Sequence, residues 1–360
     1  MPQLTLTGPP LLPPLLARGA LLSPCKSLRL PRTAAARHGD GTVGRLDRLV
    51  LPGVRIDLAR LAAYERVCGF PTGEDAVPLT YPHVLGFPLA MRIMSGRAFP
   101  LPLLGLVHTS IEITRRRRLP ATGEYELTVY VDGLTPHRRG TEATVVTEVR
   151  DTGGDGGWDE IAWESRSTYL ARHRSGEAAN PADGDRRPTT APLPATAATV
   201  GDGDGSGSGS GSDGAVVGDA DGPDAPPAAF AARVRRASAP APLPALAEWR
   251  LGADVGRRYG AVSGDRNPIH LHPLGARLFG FPRAIAHGMW TVARCLAEHG
   301  TPPAALVRAE FRAPVPLPST VTYAADGRSG GDFELRGPDN GAGERARRVH
   351  VTGSVYPLLH

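Results

Sequence analysis

Two hydrophobic periods follow one another along this chain, and the succession occurs twice. Residues 1–45 show no clear period. A short apolar run, Arg48 to Leu51, stopped by Pro52-Gly53, predicts the first strand. Leu58, Leu61, Ala62 and Val67 then fall roughly at helical spacing behind Asp57, a candidate cap. Between Thr80 and Met94, Leu85, Leu89, Ile93 and Met94 share one helical face, and Pro88 suits a first-turn position. This Leu and Met stripe reads as a buried central helix. From Val107 the period becomes two: Val107, Ile111 and Ile113 alternate with polar residues, as do Leu127, Val129 and Val131, then Ala143, Val145 and Val149. A further strand spans Ile161 to Leu170. Helices followed by an antiparallel meander predict an α+β unit with a helix packed against a curved sheet.

The pattern stops after His173. Residues 175–242 are rich in Gly, Ala, Pro, Asp and Ser, with a Gly/Ser/Asp run at 201–214, and cannot bury enough apolar surface to offset the entropy of ordering. A flexible, disordered linker is expected there. Beyond it the plan restarts: a strand near Ala247 to Arg250, a helix, a central helix from Ile285 to His299, and strand-like runs at Val307–Phe311, Val321–Ala325, Phe333–Leu335 and Val349–Val355. The repeat shows in letters too. Tyr64, Val67 and Gly69 recur as Tyr259, Val262 and Gly264, with Cys68 against Ser263 and Phe70 against Asp265. Shared order and shared letters point to duplication, and the recurring Tyr64 and Tyr259 are assigned to packing.

Composition narrows the classes. The net charge of +5 is carried by arginine, since Lys26 is the only lysine, and aromatics at 6% do not interleave with basic residues. No nucleic-acid partner is expected on that basis, whereas an anionic, phosphorylated thioester carrier suits the basic balance. Cys25, Cys68 and Cys295 are too scattered for a disulfide framework or a zinc site, and fit a reducing, cytoplasmic setting. The apolar start of the chain carries Pro9, Pro10, Pro13 and Pro14, so it reads as a poorly ordered arm (1–45) rather than a signal or membrane anchor. No membrane association is expected.

One stretch carries chemistry. Asp265 and His270 are too far apart for one face of a regular helix, but Pro268 turns the chain and biases Asn267 away from helical angles, so the two side chains can converge. A water held between carboxylate and imidazole suits addition to, or elimination from, a conjugated carbonyl. That reaction builds charge on the carbonyl oxygen. Ala286-His287-Gly288-Met289 opens a helix, and Gly288 could offer its unpaired N–H to such an oxyanion. Asn267 and Ser263 are candidate supports for the pair. A metal reading through His270, His272 and His287 is set aside, because no carboxylate or thiol completes a familiar spacing.

Ser263-Gly264-Asp265-Arg266-Asn267-Pro268-Ile269-His270, followed by Gly280 to Met289, resembles the MaoC-like dehydratase family, also called type 2 or (R)-specific enoyl-CoA hydratases. The resemblance covers roughly residues 245–357; the first half is more weakly similar to the decayed amino-terminal half of double-hot-dog members. It implies two tandem hot-dog domains, each a central helix wrapped by an antiparallel sheet: a degenerate, non-catalytic one over 46–174 and a catalytic one over 243–360. It implies catalysis by Asp265 and His270, an oxyanion hole at Gly288, no metal or redox cofactor, and a substrate carried as a coenzyme A or acyl-carrier-protein thioester. The implied reaction is reversible hydration of 2-enoyl thioesters. A non-catalytic acyl-thioester-binding subunit and a hot-dog thioesterase are the rival readings. Pairing into a homodimer is compatible with such a fold.

Three further expectations attach to the site. His287 is read first as positioning the helix start and is carried, with Arg115 and Arg116, as a candidate substrate contact. The family commonly has Asp two residues beyond the catalytic His; His272 stands there and is expected to be a weaker cap for a helix starting at Pro273.

Overall fold

The computed structural model describes residues 3–29, 48–153, 160–173, 242–327, 330–338 and 347–358. The expected linker lies outside these residues, apart from Pro242. The first half comprises β1 (Gln3–Thr5), α1 (Leu12–Arg29), β2 (Arg48–Arg55), α2 (Leu58–Cys68), α3 (Tyr81–Met94), β3 (Leu106–Arg115), β4 (Glu124–His137), β5 (Gly140–Asp151) and β6 (Ile161–Arg172). The second comprises β7 (Ala245–Leu251), α4 (Val255–Ser263), α5 (Pro268–Leu271), α6 (Pro273–Leu278), α7 (Gly288–His299), β8 (Ala305–Phe311), β9 (Ser319–Ala325), β10 (Gly331–Arg336) and β11 (Val349–Pro357). No helix among the described residues is long and apolar enough to cross a membrane.

The strands form one sheet in the order β1-β2-β4-β5-β6-β3-β8-β11-β10-β9-β7. Read outward from the β3–β8 seam, the halves repeat: β3, β6, β5, β4, β2 on one side and β8, β11, β10, β9, β7 on the other. Each half supplies a central helix, α3 or α7, packed against its own antiparallel strands. This is the double hot-dog arrangement. The seam is antiparallel, from Ser110 opposite Glu310 to Arg115 opposite Ala305, and it places residues 1–177 and 242–360 in one compact unit.

The repeat extends to the helix ends. Asp57 caps α2, its Oδ1 accepting from the N–H groups of Ala59 and Arg60 at 3.0 and 3.1 Å. Helix α2 ends at Gly69 with φ +82°, and α4 ends at Gly264 with φ +83°. Both are left-handed caps that glycine adopts without a Cβ penalty. Tyr64 and Tyr259 are buried, with rings 6.1 Å apart where the helices meet, as their assignment to packing requires. Phe70, opposite Asp265 in the repeat, lies 6.3 Å from Tyr64 in a stacked pair.

Three local expectations are corrected. The arm is ordered in part: β1 runs parallel to β2, and α1 packs on α3. Lys26 explains the docking, because its buried ammonium donates to the carbonyls of Gly96 (2.8 Å) and Met94 (3.3 Å) at the end of α3, where unpaired carbonyls favour a cation. Leu12, Leu15 and Leu16 pack against the core below. Helix α3 begins at Tyr81, so Pro82 takes the first-turn position and Pro88 lies inside the helix, buried by tertiary packing. Finally, β2 does not stop at Pro52-Gly53; it continues to Arg55 across a bulge between Leu51 and Val54.

Candidate active site

The insert between α4 and α7 builds the site from short backbone locks. Ser263 Oγ donates to the Tyr259 carbonyl (2.8 Å) and accepts the Asp265 N–H (3.2 Å), so the residue supports the turn that follows Gly264. Asp265 Oδ1 accepts the Asn267 N–H at 3.1 Å. Asn267 Oδ1 in turn accepts the Ile269 N–H at 3.4 Å, capping α5 with Pro268 in its first turn. One turn of helix then carries His270 back toward Asp265.

His270 is buried, and its Nδ1–H donates to the Ile285 carbonyl at 2.8 Å. A carbonyl only accepts, so the proton is fixed on Nδ1 and the lone pair lies on Nε2. Burial pushes the ring's pKa below the usual histidine range, against a smaller upward pull from Asp265. The ring is therefore neutral and basic at pH 7. His287 is deeper, 2% exposed, and its Nε2–H donates to the Asp265 backbone carbonyl at 2.9 Å. Its ring stacks on His270 with centroids 3.8 Å apart, and burial with the neighbouring His270 pushes its pKa down to about 3. His287 thus holds the Asp265 loop and the His270 ring together.

One donor atom from each of Asp265, His270 and His287 lies within 4.8 Å of the other two. Both rings commit a nitrogen to a backbone carbonyl and face each other in a stack, which suits hydrogen bonding to a small molecule better than two rings aimed edge-on at one ion. His272 is not part of this group. Its Nδ1 accepts the Leu274 N–H at 3.2 Å, so it caps α6 in place of the acid common in the family.

Gly288 opens α7, where the first N–H groups have no intrahelical partner. The ring of Phe311 lies against it: a Cβ built on Gly288 would sit 2.9 Å from Phe311 Cε1. Any side chain here would push that ring away, so the close approach requires glycine. Together these groups offer two proton acceptors and a backbone donor at a helix start, the set that addition of water to a conjugated thioester requires.

Arg115 and Arg116 lie elsewhere. The buried Arg115 guanidinium donates to Pro302 O (2.6 Å), Pro303 O (3.0 Å) and Thr301 Oγ1 (3.1 Å), tying the end of β3 to the loop after α7. Arg116 donates to the Ile161 carbonyl at 2.9 Å. Arg115 and Arg116 thus satisfy carbonyls at a strand end, while Arg117 and Arg118 beside them pair with Asp151 and Glu74.

Sequence reasoning missed a second group, contributed by the first half. His83 on α3, His108 on β3 and Tyr169 on β6 form a ring series: His108 stacks on Tyr169 at 4.5 Å and lies 6.2 Å from His83. Phe311, the residue against Gly288, is 4.7 Å from His108. The Asp265 charge acts on both His83 and Tyr169. No signal could reveal this, because a bulge at His108–Ser110 shifts the register on β6. The bulge turns His108, rather than Val107, onto the inner face with Ile111 and Ile113, which breaks the simple alternation.

Comparison with known proteins supplies the family. Residues 240–331 match the family model described as a MaoC-like domain. The chain is 34% identical over 306 residues to 3-hydroxyacyl-thioester dehydratase X of Mycobacterium tuberculosis, covering 84% of this chain and 86% of that protein. A crystal structure of HtdX from the same organism superposes with a TM-score of 0.60 at 29% identity, over 86% of this chain and all of that one (100%). A MaoC-like dehydratase from Phytophthora capsici shares the fold with a TM-score of 0.57 at 16% identity, over 88% of this chain and 96% of that one. The chain belongs to the MaoC-like dehydratase family.

Proposed function

We propose that the protein reversibly hydrates 2-enoyl thioesters, and in the other direction dehydrates (R)-3-hydroxyacyl thioesters, carried on coenzyme A or an acyl carrier protein. The observation that supports this most is the convergence of the Asp265 carboxylate and the Nδ1-locked His270 ring within 4.8 Å, next to the start of α7. Water held by Asp265 and the Nε2 lone pair of His270 attacks the β-carbon. One of the two groups takes a proton from the water and then returns that proton to the α-carbon, while the Gly288 N–H stabilises the charge on the thioester oxygen. Reversal of these steps expels water. The chemistry consists of proton transfers and calls on no redox step.

The catalytic unit in this reading is the second half, residues 243–360, and the first, 46–174, is non-catalytic. Phe70 stands where the repeat would require an acid, and the first helical turn of α3 holds Pro82, which has no N–H to offer. Crotonyl-coenzyme A is the test substrate. Loss of the conjugated-enoyl absorbance without thiol release is expected, reduced about 10²- to 10⁴-fold in Asp265→Asn and His270→Ala. Thiol release instead would identify a thioesterase, and binding without either change a non-catalytic subunit.

A further inference from the structure

The first half does more than fill space beside the catalytic pair. His83 Nδ1 and His108 Nε2 are enclosed, and neither has a hydrogen-bond partner among the described residues. His108 Nε2 is therefore a nitrogen that another molecule can reach as a hydrogen-bond partner. Burial keeps both rings neutral, with pKa values lowered to about 4 for His83 and about 3 for His108. Neutral imidazoles bind neutral polar groups rather than anions.

The placement is specific. The bulge between His108 and Ser110 turns the ring to the inner face, paired with Tyr169 across the strand, and bulges beside active sites re-aim side chains in this way. Phe311 spans from His108 to Gly288, so the histidines continue the wall that begins at the helix start. An apolar acyl chain against this wall would leave two buried nitrogens unpaired, which a protein tolerates only at a cost. A hydroxyl answers both atoms: it donates to His108 Nε2 and accepts from His83 when that ring carries its proton on Nδ1.

We propose that His83 and His108 form a polar subsite that selects thioesters whose acyl chain bears a hydroxyl beyond the reacting carbons. This rests on the thioester reading of the site, and binding rather than turnover tests it. Saturated acyl-coenzyme A thioesters of one chain length, plain or with a hydroxyl placed in turn at each carbon beyond the β-carbon, are titrated calorimetrically into the full-length protein. At least one position is expected to bind about tenfold more tightly than the plain chain, the value of one net hydrogen bond. His108→Phe and His83→Phe each remove that preference, and His108→Gln, which retains an acceptor, restores it. Equal affinity at every position, binding of none of the thioesters, or a preference unchanged in the Phe variants overturns the proposal. Crotonyl-coenzyme A turnover, measured separately, decides the hydratase reading whichever way this comparison falls.

Discussion

At the scale of residues, the site depends on imidazoles kept neutral by burial. His83, His108 and His287 have folded-state pKa values of about 4, 3 and 3, against about 6.5 in an unfolded chain. The sign follows from proton counting. Above pH 6.5 neither state is protonated at these rings, so they leave stability unchanged. As the pH falls below 6.5 the unfolded chain takes up protons that the folded state refuses, and stability declines until the folded pKa values are reached near pH 4 to 3. Each ring contributes a slope of about 1.4 kcal/mol per pH unit in that window. Melting temperatures recorded between pH 7 and pH 5 are expected to fall steadily, and less steeply in His108→Phe. A flat profile would mean that the rings ionise freely in the folded protein.

At the scale of elements, the repeat gives a controlled comparison. Gly69 and Gly264 cap equivalent helices at the same positive φ, but only Gly264 precedes an acid. Alanine at either position is strained, at about 1–2 kcal/mol. At Gly264 its Cβ would also meet Leu12 Cδ1 at 2.6 Å. Denaturant unfolding is expected to weaken in both variants, whereas turnover drops only in Gly264→Ala, through displacement of Asp265. Equal loss of turnover in the two would refute the division of labour between halves. The elements themselves were legible in the sequence, because a helix stripe such as Leu89 and Met94 and strand alternation such as Leu127, Val129 and Val131 report burial directly. So were Asp265 and His270, whose spacing around Pro268 demands a turn. The rest was not, for two reasons. A single inserted residue in β3 reverses which face His108 occupies, and composition carries no trace of it. Charge alone suggests solvent for Arg115, yet three acceptors from another loop hold it in the interior. Partners distant in sequence decide such cases.

At the scale of the whole molecule, the β3–β8 seam makes the two halves complete each other. Across it and beside it, Arg60 donates to the Val262 carbonyl (2.8 Å), Trp290 to the Val67 carbonyl (2.9 Å), and Arg115 to the loop at Pro302. The paired strands hide edges that each half alone would expose to aggregation. Because the halves recognise each other through these strands, high concentration can stand in for their covalent connection. Two separate polypeptides, residues 1–177 and 242–360, produced in the same cell are expected to copurify and to regain hydration activity on mixing; fragments that stay apart would show chain continuity to be indispensable. Chain continuity is then a matter of dosage, one copy of each half per molecule, while the recognition that assembles the enzyme is written in the strands.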